Sequence, residues 1–518
     1  MPEVFKELPG TSWISRNEEE LEEFLTTLQV GKARKVKSST HRLVVEADKF
    51  YLKVFCNANP LGKFKLWFHD MARREWENAK KLFDSTRLTA EPVAFGRSRN
   101  FSYFVSKSLQ PCESLSAFVP GNLNTLSLKQ KRALIEAFLE FLEKLRGCGF
   151  FQPDFHLDNI LIISKNDDGY QFYIIDLHRA SFTDAPLVFS KWAEQLTYIL
   201  PCFDFLPYGD LRRFWVMLKK RYPEMEKYLP YVISRSYSRM RVHWCKREKK
   251  IRHGEHRINH EKFEGYLKPD KLPETIKKHL VAEPENLFLF CTNIYKDSRS
   301  AKIGSLEYKG NRYIFKRYNR RGFLHSLKYR FRTSRALSHW EKSIKFIYRN
   351  LPTPEILAAI EERKRGFLHI SYVLSAMVGE GESGFRNHMD YLERNSPEAL
   401  RHLVLMVWEM HQRGIYHGDA KLSNFIRDPG VHKYGYYVID LDGSRFKRSV
   451  NAFERLCDLA DLASSIEFFG IIDNPSGIIF NYYFSLGGES PKYLSLKRKF
   501  FYYQVKKKLS HKRRRQLG

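Results

Sequence analysis

Hydrophobic and polar residues alternate in two short segments that each carry a lysine near the middle. They are FYLKVF, from Phe50, and RYIFKRY, from Arg312. Alternation with a period of two is typical of a strand that has one face against the core. The segments therefore predict two half-buried strands, which carry Lys53 and Lys316.

A helical period follows each of these strands. ARREWENAKKLF, from Ala72, predicts one helix, and ALIEAFLEFLEKLRG, from Ala133, predicts a longer one that has an apolar face and a glycine near its end. LRHLVLMVWEMHQRG, from Leu400, has the same character. Each long helix leads into a polar loop and then into a short apolar run that ends in aspartate, FYIID from Phe172 or YYVID from Tyr436. Such runs are typical of interior strands.

The chain repeats itself at a spacing of about half its length. YLKVF resembles YIFKRY, ARREWENAKKL resembles ALSHWEKSIKF, GFFQPDFHLDNIL resembles GIYHGDAKLSNFI, and YIIDLHRASF resembles YVIDLDGSRF. The four matches are offset by 263, 264, 265 and 264 residues (316 − 53, 340 − 76, 419 − 154 and 440 − 176). Because a period this long is a whole domain, the sequence predicts two tandem copies of one α+β domain. The stretch from Glu264, which is rich in Pro and charge, predicts a linker and gives domains 1–275 and 276–518.

Charge and cysteine usage restrict the class of partner and the compartment. The 88 Lys and Arg residues exceed the 59 Asp and Glu residues, so the net charge is +29 over 518 residues. This excess favours acidic partners such as phosphates, nucleic acid or an anionic membrane surface. No apolar run reaches the roughly 18 residues that span a bilayer, and the acidic N-terminal stretch lacks the form of a signal peptide. The seven cysteines are scattered without metal-ligand spacing, and we expect a cytoplasmic location or one at the inner membrane face.

Two polar loops carry the residues that suit phosphoryl transfer. HGDAKLSNF, from His417, and QPDFHLDNI, from Gln152, each place an amide five residues after a carboxylate, and a strand that ends in a second carboxylate follows. This order resembles the protein-kinase pattern. On that pattern, Asp154 and Asp419 are catalytic residues that orient or deprotonate an acceptor hydroxyl. The residues predicted to bind the metal are Asn159, Asp176, Asn424 and Asp440. The cation that suits these ligands is Mg²⁺. The residues predicted to bind the nucleotide phosphates are Lys53 and Lys316. Taken singly, each carboxylate is as typical of a turn or a helix cap, and the double occurrence favours the catalytic interpretation.

Both halves resemble the lipopolysaccharide core kinase family, whose members phosphorylate heptose or Kdo sugars. In the first half, REW at Arg74, DFHLDNIL at Asp154 and IDLHRA at Ile175 look nearer to the heptose-kinase branch. In the second half, SRALSHW at Ser334, HGDAKLSNF at His417 and IDLDGSR at Ile439 look nearer to the Kdo-kinase branch. The resemblance implies two tandem protein-kinase-like domains, each with a small β-rich N-lobe and a helical C-lobe. It also implies ATP with Mg²⁺ as cofactors and a sugar hydroxyl of the lipopolysaccharide inner core as acceptor.

The resemblance further implies a helix glutamate that pairs with the strand lysine. Glu75 takes this role in the first copy, with Glu77 as a rival, whereas the aligned position in the second copy is His339. Glu341 lies two residues out of register there, about 200° around a helix. Lys421 stands where kinases often carry a lysine that contacts the γ-phosphate. Because the second copy lacks the helix glutamate, we expect both copies to bind nucleotide and the first to contribute more to catalysis.

Two features of the kinase pattern are weak or missing. Neither half has a G-x-G-x-x-G loop, and the only glycines near the expected position are Gly31 and Gly304. Neither half has the A-P-E element of protein kinases, which counts against a protein substrate.

Three basic segments interleaved with aromatic residues begin at Arg235, Arg317 and Lys497. Such segments suit anionic headgroups and would equally suit nucleic acid, and a solvated helix face or a loose tail is the alternative for the last. The resemblance favours lipopolysaccharide core or another anionic glycolipid and an anionic membrane surface as partners, and nucleic acid is not expected. The alternative functions are a protein or small-molecule kinase of the aminoglycoside-phosphotransferase type, or a kinase-like scaffold or nucleic-acid-binding protein with one or both sites inactive.

Overall fold

The computed structural model describes most of the chain and divides it into two compact units, Met1–Ser236 and Tyr237–Gly518. The described residues are 7–29, 33–38, 42–56, 70–122, 125–165, 169–199, 208–251, 257–260, 262–319, 329, 332–379, 382–395, 397–428, 435–487 and 494–516. In each unit an antiparallel sheet precedes most of the helices along the chain.

The first unit contains strands β1 to β11 and helices α1 to α6, and helix α7 crosses its end. The strands are β1 Ser12–Ser15, β2 Ala33–Ser38, β3 Arg42–Ala47, β4 Phe50–Cys56, β5 Pro92–Arg97, β6 Phe101–Lys107, β7 Glu113–Ser114, β8 Phe150–Phe151, β9 Ile160–Lys165, β10 Gly169–Ile174 and β11 Ser181–Phe182. The helices are α1 Glu18–Gln29, α2 Met71–Thr86, α3 Leu115–Asn122, α4 Leu128–Gly147, α5 Phe189–Ile199, α6 Tyr208–Arg221 and α7 Leu229–Ile251.

The sheet of the first unit has the strand order β1-β5-β6-β4-β3-β2 among the described residues. The predicted strand with Lys53 is β4, and it is buried on both faces rather than one, because Val54 and Phe55 are each almost fully buried. Val54 packs in a cluster that includes Phe24 of α1, and Phe55 packs in the cluster that contains Leu82 of α2. Helices therefore pack against both faces of the sheet. The polar position in the alternating pattern of β4 is Lys53, whose side chain is itself largely buried.

The two helices predicted in the first half are confirmed. Helix α2 begins after Asp70, whose side chain accepts hydrogen bonds from two backbone N–H groups of the first turn. Helix α4 begins with a capping box formed by Ser127 and Gln130. The predicted apolar face of α4 is buried, and its residues are Leu134, Phe138, Leu142 and Leu145. The apolar run that ends at Asp176 forms β10, which pairs antiparallel with β9 in a three-stranded sheet.

The second unit contains the remaining strands and helices. The strands are β12 Arg257–His260, β13 Phe263–Leu267, β14 Cys291–Asp297, β15 Ala301–Tyr308, β16 Asn311–Tyr318, β17 Ile356–Lys364, β18 Phe367–Ala376, β19 Ile415–Tyr416, β20 Phe425–Arg427, β21 Tyr436–Val438 and β22 Arg445–Phe446. The helices are α8 Glu274–Ala282, α9 Arg335–Tyr348, α10 Glu382–Asn395, α11 Glu398–Gln412, α12 Ala452–Phe469, α13 Pro475–Gly487 and α14 Leu494–Gln516.

The stretch interpreted as a linker is part of the second unit's structure. Its larger sheet has the order β12-β13-β17-β18-β16-β15-β14 among the described residues, and β13 pairs antiparallel with β17 from Phe263 to Leu267. Helix α8 follows, with Ile276 and Leu280 buried. The linker interpretation was therefore wrong, because the prolines and charges at these positions flank a strand and a short helix. The domain bounds 1–275 and 276–518 remain a prediction, and the compact units divide earlier, after Ser236.

The C-terminal half of α7 is held in the second unit by an ion pair with a buried arginine and by cation–π contacts. Arg349 is almost fully buried, donates from Nε to Glu248 at 2.8 Å and from Nη1 to the carbonyl oxygen of Arg413 at 2.6 Å. The guanidinium of Arg413 lies over the rings of Tyr237 and Trp244. Removing one partner of a buried pair is strongly destabilising, so this end of α7 belongs to the core of the second unit.

The last basic segment forms helix α14, which packs against α12 rather than forming a loose tail. Phe501 and Val505 of α14 are buried, and Lys508 donates to Asp461 of α12 at 2.5 Å. Most of the second basic segment lies outside the described residues. Within the described part of the chain, no helix is both long and apolar enough to cross a membrane.

Candidate phosphoryl-transfer sites

Each polar loop follows a turn that only glycine fits. Gly414, after α11, has φ +75°, and a Cβ there would lie 2.1 Å from the carbonyl oxygen of Lys447. Gly149, after α4, has φ +69°, and a Cβ there would lie 2.3 Å from the carbonyl oxygen of Thr183. The left-handed conformation and the close backbone approach explain the glycine in both copies of the pattern.

In the second unit, the loop residues predicted from sequence lie within hydrogen-bonding distance of one another. Asn424 Nδ2 donates two hydrogen bonds to Asp419, one to its carbonyl oxygen at 2.7 Å and one to its side-chain Oδ2 at 3.2 Å. Lys421 Nζ donates to the same Oδ2 at 2.8 Å. Because Nδ2 faces Asp419, the amide oxygen of Asn424 is the atom that a cation would meet.

A buried carboxylate on α12 anchors this loop. Asp458 is fully buried and accepts from the backbone N–H groups of His417, at 2.8 Å, and of Gly418, at 2.9 Å. His411 Nε2 lies 3.1 Å from the same carboxylate. His417 is also buried, with Nε2 3.1 Å from the carbonyl oxygen of Ile439. The carboxylate on the helix thus fixes both the loop and, through His417, the end of strand β21.

Asp440 follows β21 in the left-handed region, with φ +55°. An aspartate with positive φ is a strained conformation that is enriched at functional sites. Its side chain lies 3.7 Å from Lys316 Nζ and is 41% exposed. Asp440 and Asn424 together offer carboxylate and amide oxygens, the donors that a small hard cation prefers, so this set fits Mg²⁺.

Asp442 connects helix α9 to the end of the strand that carries Asp440. It pairs with Arg335 and accepts from the hydroxyl of Tyr318 at 3.3 Å, while its backbone oxygen accepts from Lys342 at 2.6 Å. Burial alone would raise the pKa of Asp442, but the charge of Lys316 and its other partners hold that pKa below its usual value. Burial and the charge of Lys316 lower the pKa of His339 to about 4. Neutral His339 therefore cannot act as a charged partner of Lys316. The acids near Lys316 are Asp440 and Asp442, which follow strand β21.

In the first unit, the loop keeps the Asp–Asn contact and lacks the charged anchor. Asn159 Nδ2 donates to the carbonyl oxygen of Asp154 at 3.0 Å, and His156 lies 3.6 Å from the Asp154 carboxylate. Gln152 replaces the loop histidine and donates to the carbonyl oxygen of Asp176 at 2.9 Å. Its backbone N–H contacts the side-chain oxygen of buried Gln195 at 3.3 Å, where the second unit has Asp458. A neutral amide pair thus replaces the histidine–carboxylate pair.

The lysine of the first unit is surrounded by acids. Lys53 Nζ pairs with Glu75 of α2 and lies 3.6 Å from Asp176, which has φ +70°. Glu77, the rival, pairs instead with Arg73 on the exposed side of the helix. One ligand atom each of Glu75, Asp176 and His178 lies within 4.8 Å of the others, but the ammonium of Lys53 already pairs with two of these groups.

Arg42 also binds Asp176, and sequence reasoning did not identify it. Its Nη1 donates to Asp176 at 2.8 Å. Burial alone would raise the pKa of Asp176, but Lys53, His178 and Arg42 together hold that pKa well below its usual range. Sequence reasoning also missed Asp458, Gln195 and the contacts of Asp442. An aspartate inside the apolar pattern of α12 was the one signal that could have been read for Asp458.

Of the two glycines considered for a phosphate-covering loop, the structure describes Gly304. Gly304 lies within β15, and a Cβ there would lie 2.7 Å from the sulfur of Cys291. Gly31 lies outside the described residues.

Solved structures similar to the chain include WaaP, an aminoglycoside phosphotransferase and WbdD. WaaP in complex with acyl carrier protein is 17% identical with a TM-score of 0.34, and the match covers 48% of this chain and 98% of that chain. Aminoglycoside-3'-phosphotransferase of type VIII is 10% identical with a TM-score of 0.31, and the match covers 45% and 99%. The bifunctional kinase-methyltransferase WbdD is 17% identical with a TM-score of 0.23, and the match covers 30% and 34%. All three TM-scores are below 0.5.

No curated protein sequence matches the chain. A family model does match the second unit, from the sheet through the catalytic-type loop to the start of α13. That match supports a phosphotransferase that acts on sugar hydroxyls. Residues 296–476 match the model of the Lipopolysaccharide kinase (Kdo/WaaP) family, which confirms for this part of the chain the resemblance that its motifs carry.

Proposed function

We propose that the protein is an ATP- and Mg²⁺-dependent kinase that phosphorylates a heptose or Kdo hydroxyl of the lipopolysaccharide inner core. In this proposal the chain consists of two tandem kinase-like domains, and the second performs the transfer. The acceptor is an anionic glycolipid presented at the cytoplasmic face of the inner membrane.

The observation that carries the proposal is the geometry around Asp419 and Asp440. Lys316 and Asp440 lie 3.7 Å apart, and the backbone N–H of Ile439 donates to the carbonyl oxygen of Asn424 at 2.9 Å. The catalytic-type loop and the metal-binding strand are therefore tied together at the residues that the chemistry requires. Phosphoryl transfer depends mainly on positioning and charge, and this unit has both.

Each side chain has a role in the proposed reaction. Lys316 would hold the α- and β-phosphates, and Asp440 with Asn424 would hold Mg²⁺, which neutralises charge on the phosphates. Asp419 would orient the acceptor hydroxyl and take its proton. Lys421, which now holds the Asp419 carboxylate at 2.8 Å, would meet the γ-phosphate as it transfers.

A lysine of the C-terminal helix α14 lies near the loop and favours an anionic acceptor. Lys512 of α14 donates to Ser464 of α12 at 3.1 Å, and the neighbouring Ser465 accepts from the backbone N–H of Leu422 in the loop at 2.8 Å. Burial lowers the pKa of Lys512 to about 8, and the charges of Asp419 and Lys421 also act on it. A cation is thus close to the base that would activate the acceptor, where a phosphorylated sugar would be attracted.

The test is phosphorylation of deacylated lipopolysaccharide core by the purified full chain. We expect mass spectrometry to show one added phosphoryl group per acceptor with ATP and Mg²⁺, and none with EDTA. Asp440→Asn should abolish the product, because it removes the carboxylate that holds the cation. Asp473→Asn, at an exposed position of the same unit, is the control and should behave as the native chain does.

Two outcomes would contradict the proposal. ATP consumption without a change in the oligosaccharide, but with phosphorylation of an aminoglycoside or a protein, would assign a different acceptor. Unchanged ATP turnover in the double variant Asp176→Asn, Asp440→Asn would remove the kinase interpretation altogether.

A further inference from the structure

The strand beside Lys53 contributes a second cation to the site of the first unit. Arg42 is the first residue of β3, and its Nη1 donates to Asp176 Oδ2 at 2.8 Å. Its guanidinium lies over the ring of Phe55 on the neighbouring strand, 5.5 Å from the centroid. Both ends of this contact are partly shielded from solvent, with the Arg42 side chain 24% and the Asp176 side chain 16% exposed. The pair is therefore part of the cleft and not a surface contact.

The carboxylate that would bind a metal in this unit already faces two cations, and its one hydrogen bond among the described side chains is made by Oδ2. Lys53 Nζ lies 3.6 Å from Asp176 Oδ1, and His178 Nδ1 lies 3.4 Å from the same oxygen. Arg42 holds the other oxygen through a charge-assisted hydrogen bond, one of the stronger kinds in proteins. A divalent cation would have to displace this guanidinium from a shielded site. The residues of the first unit therefore fit Mg²⁺ poorly.

Among the described residues of the second unit, the strand position that corresponds to Arg42 carries no arginine, and Arg335, which lies over the ring of Tyr318, pairs with Asp442. In the first unit Arg42 pairs with Phe55, two residues beyond Lys53 on β4. In the second unit the residue that pairs with Tyr318, two residues beyond Lys316 on β16, is Ala301. A methyl group cannot reach a carboxylate across the cleft. Asp440 is correspondingly more open, at 41% exposure against 16% for Asp176.

The phosphates of a nucleotide need positive charge, and this charge does not have to come from a metal. Two side-chain cations, Arg42 and Lys53, both contact Asp176. In a kinase-like site the nucleotide phosphates would bind at this place. An arginine presents several donors in a planar fork that matches phosphate oxygens. If the phosphates replace Asp176 as the partner of this fork, the charge that a metal would have supplied is already present.

We propose that the first unit binds a nucleoside triphosphate without a divalent cation, with Arg42 and Lys53 supplying the charge that Mg²⁺ supplies in the second unit. The ligand class rests on the proposed function, whereas independence of metal rests on Arg42 alone. The first unit is then a nucleotide-binding site that differs in cofactor requirement from the second.

The experiment uses the full chain with the second site disabled by Lys316→Met and Asp440→Asn. Binding of ATP is followed by displacement of a fluorescent ATP analogue, once in EDTA and once in Mg²⁺. We expect the two dissociation constants to agree within about threefold. Adding Arg42→Ala should weaken binding in EDTA by at least about tenfold, the scale of one charge-assisted contact, and should create a dependence on Mg²⁺. Arg42→Lys should recover part of the loss in EDTA.

The control is Arg34→Ala, because Arg34 lies on the adjacent strand β2 and pairs with Glu46 on the exposed side of the same sheet. It should leave both dissociation constants unchanged. Binding that tightens about tenfold or more on addition of Mg²⁺ while Arg42 is present would overturn the inference, as would the absence of binding in either condition. An equal affinity of the Arg42→Ala chain in EDTA would do the same.

The proposed function is tested separately in the Lys53→Met chain, whose second site is intact. Mg²⁺-dependent transfer by that chain would leave the proposed function standing if the first unit bound nothing.

Discussion

At the scale of single residues, the two units exchange an acid and a histidine. The helix residue facing the strand lysine is Glu75 in the first unit and His339 at the aligned position in the second. The residue two positions after the aspartate that ends the strand is His178 in the first unit and Asp442 in the second. Besides the aspartate that ends the strand, each unit thus keeps one further acid near its lysine, which is Glu75 of the helix in the first unit and Asp442 in the second. The missing helix glutamate of the second unit is therefore no deficit in local charge.

This exchange predicts that the two positions are coupled. Asp442→His should lower phosphoryl transfer by about 10–100-fold, because it removes an acid near Lys316 and the partner of Arg335. Adding His339→Glu returns the acid on the helix, as in the first unit, and should recover at least about fivefold through a coupling energy of about 1–3 kcal/mol. Steady-state kinetics of the two single variants and the double variant measure this coupling. Strict additivity would contradict the compensation.

The charge of Lys512 predicts a pH dependence of acceptor binding. The pKa of Lys512 is lowered to about 8 by burial, so its positive charge is present below that pH and is lost as pH rises through it. We expect the dissociation constant of deacylated core oligosaccharide to rise about fivefold between pH 7 and pH 9, which corresponds to about 1 kcal/mol for one partly exposed charge contact. Lys512→Arg keeps its charge over this range and should abolish the change. Lys506→Arg, at an exposed position of the same helix, should not.

At the scale of elements, α12 determines whether the catalytic-type loop is rigidly held. Asp458 accepts two backbone hydrogen bonds from this loop in the second unit, and Gln195 of α5 offers a neutral oxygen to one in the first. The loop histidine and the helix carboxylate are both replaced by glutamine in the first unit. The loop of the first unit is therefore held more weakly at its base, although Asp154 and Asn159 are retained.

Asp458→Asn tests this anchor. The amide would keep one acceptor and turn its N–H donors towards the backbone N–H groups, so one buried donor would lose its partner at a cost of about 1–3 kcal/mol. We expect transfer to fall by about 10²-fold, because a small displacement of Asp419 disturbs the alignment of the acceptor. Nucleotide affinity should change little, since Lys316 and Asp440 are not bonded to Asp458. A thermal unfolding curve identifies a variant that has merely lost its fold.

Much of this architecture could be read from the sequence because it depends on local period. The lysine strands, the helices after them and the glycine turns before the loops follow from spacing, and they appear at the predicted positions. The linker could not be judged in the same way, because β13 is a strand through its pairing with β17, about 90 residues later in the chain. Arg42 had no local signal either, since its role depends on the register of β3 against β4. Asp458 was readable as a charge within an apolar helix and was overlooked.

At the scale of the whole molecule, the basic charge is built into folded elements. Helix α14 carries much of the C-terminal charge and buries Phe501 and Val505, so removal of residues 497–518 would expose part of the core of the second unit. Loss of vesicle binding in such a truncated chain would not separate charge from folding. Exposed residues of the same helix, such as Lys506 and Arg513, are the positions at which charge can be changed while the buried face is kept.

The relative contribution of the two units is the prediction on which these observations converge. The sequence favoured the first copy because it has the helix glutamate. The structure adds that Asp176 is engaged by Arg42, that the loop of the first unit has no carboxylate anchor, and that Asp442 supplies an acid near Lys316. We therefore expect Asp419→Asn to lower phosphorylation of the core oligosaccharide by about 10²–10⁴-fold, the usual effect of removing a general base.

Asp154→Asn is the matched change in the first unit, and it should leave that rate nearly unchanged, because Asp154 would take no part in proton transfer to the acceptor of the second unit. Both variants leave the lysines and the metal-binding aspartates in place, so nucleotide binding remains measurable in each and serves as the check on folding. A larger loss of phosphorylation in Asp154→Asn than in Asp419→Asn would assign catalysis to the first unit, as the helix glutamate alone suggested. If the variants instead lose different phosphorylated products, both loops are active on different hydroxyls, and the Arg42–Asp176 pair must then open during each turnover of the first unit.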